Sequence, residues 1–164
     1  MEEISRARKP RPSHEAEVDK ILFKCADYKQ GLPLQYAKLK EVRMKMDLGR
    51  RTIPVYKKLE GVGGEFRVEE EDIIIRQDEI EQRIRYMEGY IHTVEGLIDY
   101  AFKGDEDKKR FVDEYWLQSI PRDIRTRRRE VLAAMPFLTH DSFYTWRGKI
   151  YARLAEVVGI EVGK

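Results

Sequence analysis

Between Ile73 and Ala101 the apolar positions return alternately every three and every four residues, through Ile80, Ile84, Met87, Ile91, Val94 and Ile98, with Gln77 as a polar interruption. That spacing winds an apolar seam along one long helix. Isoleucine at successive a positions suits a parallel two-stranded coiled coil, so Ile80, Ile84, Met87, Ile91, Val94 and Ile98 are candidate self-association residues. The same seam would serve equally for packing on earlier helices of the same chain. Both readings follow from the pattern.

Upstream, Ser13 is placed to cap a helix with Glu15 and Glu17 near its start and Val18, Leu22 and Cys25 on one face. A stop is expected near Gly31. Leu34, Leu39, Val42 and Met46 then mark a second amphipathic helix ending at Gly49. From 52 to 68 the pattern changes: Thr52, Ile53, Val55 and Tyr56 favour extended backbone, and Gly61 to Gly64 separates them from Phe66 and Val68. A short β-hairpin or an ordered loop both fit. Residues 1–12, with four basic side chains and two prolines among Arg6 to Pro12, read as a basic arm lacking a packing face.

Beyond the break at Lys103-Gly104-Asp105, Asp105 or Asp107 can cap a helix carrying Phe111, Tyr115 or Trp116, and Ile120. Pro121 opens an arginine-rich helix running to about Met135. After Pro136-Phe137-Leu138, Thr139 is the expected N-cap of a last helix to Val158, closed by Gly159. In that helix Phe143, Trp146, Ile150, Leu154 and Val157 form a buried stripe, and Asp141, Thr145, Gly148, Lys149 and Ala152 the outer face. The expected fold is therefore mainly all-α. A helical association region over 13–103 precedes a three-helix unit over 104–164 that contains a helix-turn-helix.

The chain has 164 residues, is 38% charged, and carries a formal net charge of +2. Positive charge gathers from Lys108 onward, which places any nucleic-acid surface there or on the N-terminal arm. Cys25 is the sole cysteine, so neither an intrachain disulfide nor a thiol pair for zinc exists. His14, His92 and His140 stand far apart, without metal-ligand spacing. Gly61-Val62-Gly63-Gly64 lacks the following lysine of a phosphate loop. No catalytic set presents itself. The expectation is a non-enzymatic protein without cofactor or metal. Lacking an apolar membrane span and the apolar core of a signal peptide, it is expected in the cytoplasm.

A helix with a small and polar outer face suits the major groove, where its hydroxyls and ammonium groups reach base edges and phosphates. The candidate DNA-binding residues are Arg125, Arg127 and Arg128 on the arginine-rich helix, and Thr139, His140, Ser142, Thr145, Arg147 and Lys149 at and within the last. The stretch from Val131 to Gly159 resembles the C-terminal helix-turn-helix of phage transcriptional regulators of the ArpU/RinA type, themselves similar to sigma factor region 4. The matching positions are Thr139, then Phe143-Tyr144-Thr145-Trp146-Arg147, then Leu154-Ala155 through Gly159. The usual glycine of the turn is replaced by Pro136-Phe137-Leu138. The resemblance implies a regulator that switches on late phage or prophage genes, with double-stranded DNA as partner and RNA polymerase as a second one; the heptad helix adds the expectation of a homodimer. Competing expectations from another class are a phage assembly or DNA-packaging adaptor, and a coiled-coil interaction module without DNA binding.

Overall fold

The computed structural model describes the backbone of residues 12–57, 63–118 and 121–161, and the side chains of 12–48, 71–118 and 121–161. The fold is all-α, and the described residues contain no strand. Helix α1 spans Ser13–Lys57, α2 Gly63–Ala101, α3 Glu106–Val112, α4 Ile124–Ala134 and α5 His140–Val158. A π-helical turn, Asp113–Leu117, continues α3. Among the described residues no helix is long and apolar enough to cross a membrane. The basic arm, residues 1–12, lies almost wholly outside them.

The expected stops at Gly31 and Gly49 do not occur, and α1 runs through both. Its buried stripe explains the first: Val18, Leu22, Cys25, Leu39 and Val42 are buried on the same helix, on either side of Gly31-Leu32-Pro33. A glycine costs a helix about 1 kcal/mol and a proline about 3, and burying a few Leu or Val side chains at 1.5 to 3 kcal/mol each outweighs both. Gly31 has a packing role instead. A Cβ there would lie 3.2 Å from Cε of Met87, tighter than ordinary contact, so a larger residue would push the Met87 side chain aside.

The hairpin expected near 52–68 is likewise replaced, because 51–57 and 63–68 are helical. Residues 58–62, with Gly61 and Val62, fall outside the described part. Strand preference reflects how a side chain fits a half-buried pleated surface, and among the described residues there is no sheet for Thr52, Ile53, Val55 and Tyr56 to join.

The chain divides into two compact units. In the unit Tyr28–Tyr90, α1 and α2 run antiparallel, as shown by the bonds of Tyr36 to Glu88 and of Arg43 to Glu81. Leu39 and Val42 pack on Ile80 and Ile84, with Leu32 and Ile73 at the margin. Tyr28 meets Tyr86 and Tyr90 edge-on at 5.9 and 5.3 Å between centroids. Glu81 is held below the usual carboxylate range, first by the amide of Gln77 and then by Arg43.

The other unit joins the start of α1, through Asp27, to everything from Ile91 onward. Its centre is aromatic: Phe111, Trp116 and Phe143 are fully buried, with Tyr115 and Tyr151 beside them. The π turn explains how neighbours Tyr115 and Trp116 are both buried. A wider turn brings residues 111, 112, 115 and 116 onto one face, where the sequence pattern left a choice between the pair.

The start of α1 is bound into this unit by Asp19, whose Oδ1 accepts from Trp116 Nε1 at 2.8 Å and from the Tyr151 hydroxyl at 2.6 Å. Asp27 pairs with Arg122, and Phe23 lies under the guanidinium groups of Arg122 and Arg127. This compact unit therefore draws in more of the chain than residues 104–164.

All of Ile80, Ile84, Met87, Ile91, Val94 and Ile98 are buried within the single chain. Ile80 and Ile84 face α1 in the first unit; Val94 and Ile98 line an apolar contact with Val18, Leu22 and Leu154 in the second. Of the two uses of the heptad seam, packing within the chain is the one observed.

Candidate nucleic-acid interface

Helix α4 begins at its N-cap Asp123, which accepts from Thr126 N and Oγ1 at 2.9 and 2.8 Å. Those bonds, the backbone one first, hold the Asp123 carboxyl below its ordinary range. The helix ends with Met135, and the turn Pro136-Phe137 is closed by Leu138 N donating to Met135 O at 3.0 Å. Met135 and Leu138 are buried, so side chains clamp the turn from within. No non-glycine residue among those described has positive φ. This connection needs no left-handed residue, which accounts for the missing glycine.

Helix α5 starts from Thr139 in a capping box: Thr139 Oγ1 accepts from Ser142 N at 3.1 Å, and Ser142 Oγ accepts from Thr139 N at 2.7 Å. It ends at Gly159, left-handed at φ 88°. Phe143, Ile150, Leu154, Tyr151 and Ala155 are buried, and Trp146 and Val157 are half-buried. Phe143 stacks on Phe111 at 5.3 Å, and Tyr151 meets Trp116 edge-on at 5.3 Å. Anchored on that side, α5 leaves Asp141, Thr145, Gly148 and Lys149 exposed on the other, with Ala152 half-buried.

The candidates separate by environment. Arg125, His140, Thr145 and Lys149 are exposed. Thr145 Oγ1 donates to Asp141 O at 3.3 Å, and His140 sits edge-on to Tyr144. Arg128 is half-buried and donates to the Tyr144 hydroxyl at 2.8 Å, which ties α4 to α5. Thr139 and Ser142 are engaged in the cap. Replacing Thr139 with alanine should therefore cost about 1 kcal/mol of stability, measurable by urea titration, whatever its effect on ligand binding.

One candidate is corrected. Arg127 is 2% exposed, bonded through Nη1 to the Tyr115 carbonyl and lying over Phe23 at 4.7 Å. Burial, and secondarily Arg122, push its pKa down. Arg147 is half-buried, donating to the Tyr115 hydroxyl at 3.2 Å and lying over the rings of Tyr144 and Tyr151. Both guanidinium groups are engaged within the unit, Arg127 by a carbonyl oxygen and the Phe23 ring, Arg147 by a hydroxyl and two tyrosine rings.

Arg129 is exposed and one helical turn beyond Arg125, so the two share a face of α4. The spacing of the arginine run carries that signal: Arg125 and Arg129 recur at i and i+4, and Arg127 falls on the opposite side. Among the described residues no group of His, Cys, Asp and Glu is placed to hold a metal. Cys25 is buried.

Neither a family model, nor a curated protein sequence, nor a solved structure shows a significant match to the chain.

Proposed function

We propose that the unit containing α4 and α5 binds double-stranded DNA, with the outer face of α5 in the major groove and Arg125 and Arg129 of α4 against phosphates. The observation that carries this reading is the face Thr145, Gly148 and Lys149, exposed on a helix whose other side is fixed in an aromatic core. Thr145 offers a hydroxyl and Lys149 an ammonium group to base edges or phosphates.

Gly148 supports the reading further. A Cβ built there meets nothing within 4 Å, so the chain's own packing does not require glycine at a position where it weakens the helix. Close approach of a partner to the backbone would require it.

The wider role we propose is that of a transcriptional regulator of the phage or prophage kind that the sequence resembles, cytoplasmic and non-enzymatic, with RNA polymerase as a further partner. Gly148→Ala tests the site. It should raise thermal stability by about 0.5 to 1 kcal/mol while weakening duplex binding by about tenfold, or 1.4 kcal/mol. Stability and affinity that both rise, or affinity unchanged, would place the ligand elsewhere. DNA binding that is absent altogether would favour an assembly role through protein contacts.

A further inference from the structure

In the Tyr28–Tyr90 unit a groove of about 550 Å³ runs between α1 and α2, a size in the range of small-molecule sites. Among the described residues it is lined by Gln35 and Lys38 of α1 and by Asp72, Arg76, Glu79 and Arg83 of α2, with the buried Ile80 between them. Gln35 is only 8% exposed, and among the described residues its amide has no hydrogen-bond partner. A primary amide withdrawn from bulk water and left unpaired costs free energy, so its place on the wall of a groove points to a partner that the groove admits.

The cations point the same way. Each arginine has a carboxylate one helical turn earlier, Asp72 before Arg76 and Glu79 before Arg83. Neither pair is made, and the half-buried Lys38 has no ion pair among the described residues either. Elsewhere in the unit such pairs do form, Arg85 with Glu81 at 3.9 Å and Lys45 with Glu41 at 3.5 Å. The antiparallel pairing that sets Arg43 on Glu81 and Tyr36 on Glu88 brings Lys38 within about one helical turn of the level of Arg83. Two positive charges and an unpaired amide therefore converge on one end of the groove from both of its walls.

We propose that this groove binds a phosphorylated sugar, free or as a mononucleotide. A phosphate carries the double charge that Lys38 and Arg83 call for, and it has enough oxygens to accept from both cations and from the Gln35 amide, where a carboxylate has only two. Glu79, one turn from Arg83, accepts from the sugar hydroxyls; Arg76 beside it disfavours an ammonium group there. Arg76 and Asp72 line the remaining length. The site uses no residue of α4 or α5 and does not rest on the DNA-binding reading.

Isothermal titration calorimetry of the full chain with ribose 5-phosphate, adenosine monophosphate and unphosphorylated ribose tests it. At least one of the two phosphate esters should bind with a dissociation constant below about 1 mM, and ribose should give no binding at about 10 mM. The tighter ester tells whether a base occupies the groove beyond the sugar. Lys38→Ala and Arg83→Ala should each weaken binding by about tenfold, whereas Arg43→Ala, whose guanidinium bonds Glu81 outside the groove, should not. Gln35→Met should weaken binding by about fivefold while raising the urea midpoint, because it removes an amide that is unpaired in the free protein. No binding of either ester at about 10 mM, binding of ribose as tight as that of its phosphate, binding indifferent to Lys38→Ala and Arg83→Ala, or a Gln35→Met variant that loses stability and keeps its affinity would overturn the proposal.

Discussion

Trp116→Ala should destabilise the unit containing α3 to α5 by about 3 to 5 kcal/mol, the range for emptying a buried tryptophan site. The ring is fully buried, edge-on to Tyr115 at 4.5 Å and to Tyr151 at 5.3 Å, so its loss leaves a cavity bordered by rigid rings that close on it poorly. The change also removes a donor to Asp19 that fixes the start of α1. Domains are commonly stable by about 5 to 15 kcal/mol. The unfolding midpoint in urea should therefore fall steeply, and the start of α1, through Asp27, should unfold together with α5. A loss below about 1 kcal/mol would mean that the aromatic centre does not hold the unit together.

The second large effect concerns binding. Replacing Arg125, Arg129 and Lys149 together by alanine should reduce duplex affinity roughly a thousandfold near 50 mM salt, because each phosphate contact contributes about 0.9 to the slope of log K against log salt. The slope itself should fall by about 2.7. All three residues are exposed, so folding stability should hardly change. The contrasting variants are Arg127→Met and Arg147→Met, which lower stability and leave the slope alone, since their charges are directed into the protein. An equal change of slope from both groups would dissolve the distinction between surface and packed arginines.

The last two helices were legible in the sequence because their signals are local. Thr139 and Gly159 cap α5 by their own chemistry, and the stripe Phe143, Ile150 and Leu154 repeats at helical spacing without interruption. The fate of α1 at Gly31 and Pro33 was not legible. Propensity argues for a stop there, and only the packing of Leu39 and Val42 on α2 and the close approach to Met87 argue against it. Both are tertiary facts. The heptad seam of α2 was legible as a seam but not in its use, because intrachain and interchain helix pairing demand the same spacing. Arg127 was misjudged for a related reason. Arginine in a charged run looks like surface until the Phe23 and Tyr115 that receive it are brought close by the fold.

The most direct test of the central claim is fluorescence anisotropy of a labelled random duplex titrated with the full chain at a series of salt concentrations. Three surface cations on α4 and α5 should give binding at low salt with a slope of log K against log salt of about −2.7 or steeper. Absence of binding at the lowest salt, or affinity that does not respond to salt, would contradict a DNA-binding role for this unit.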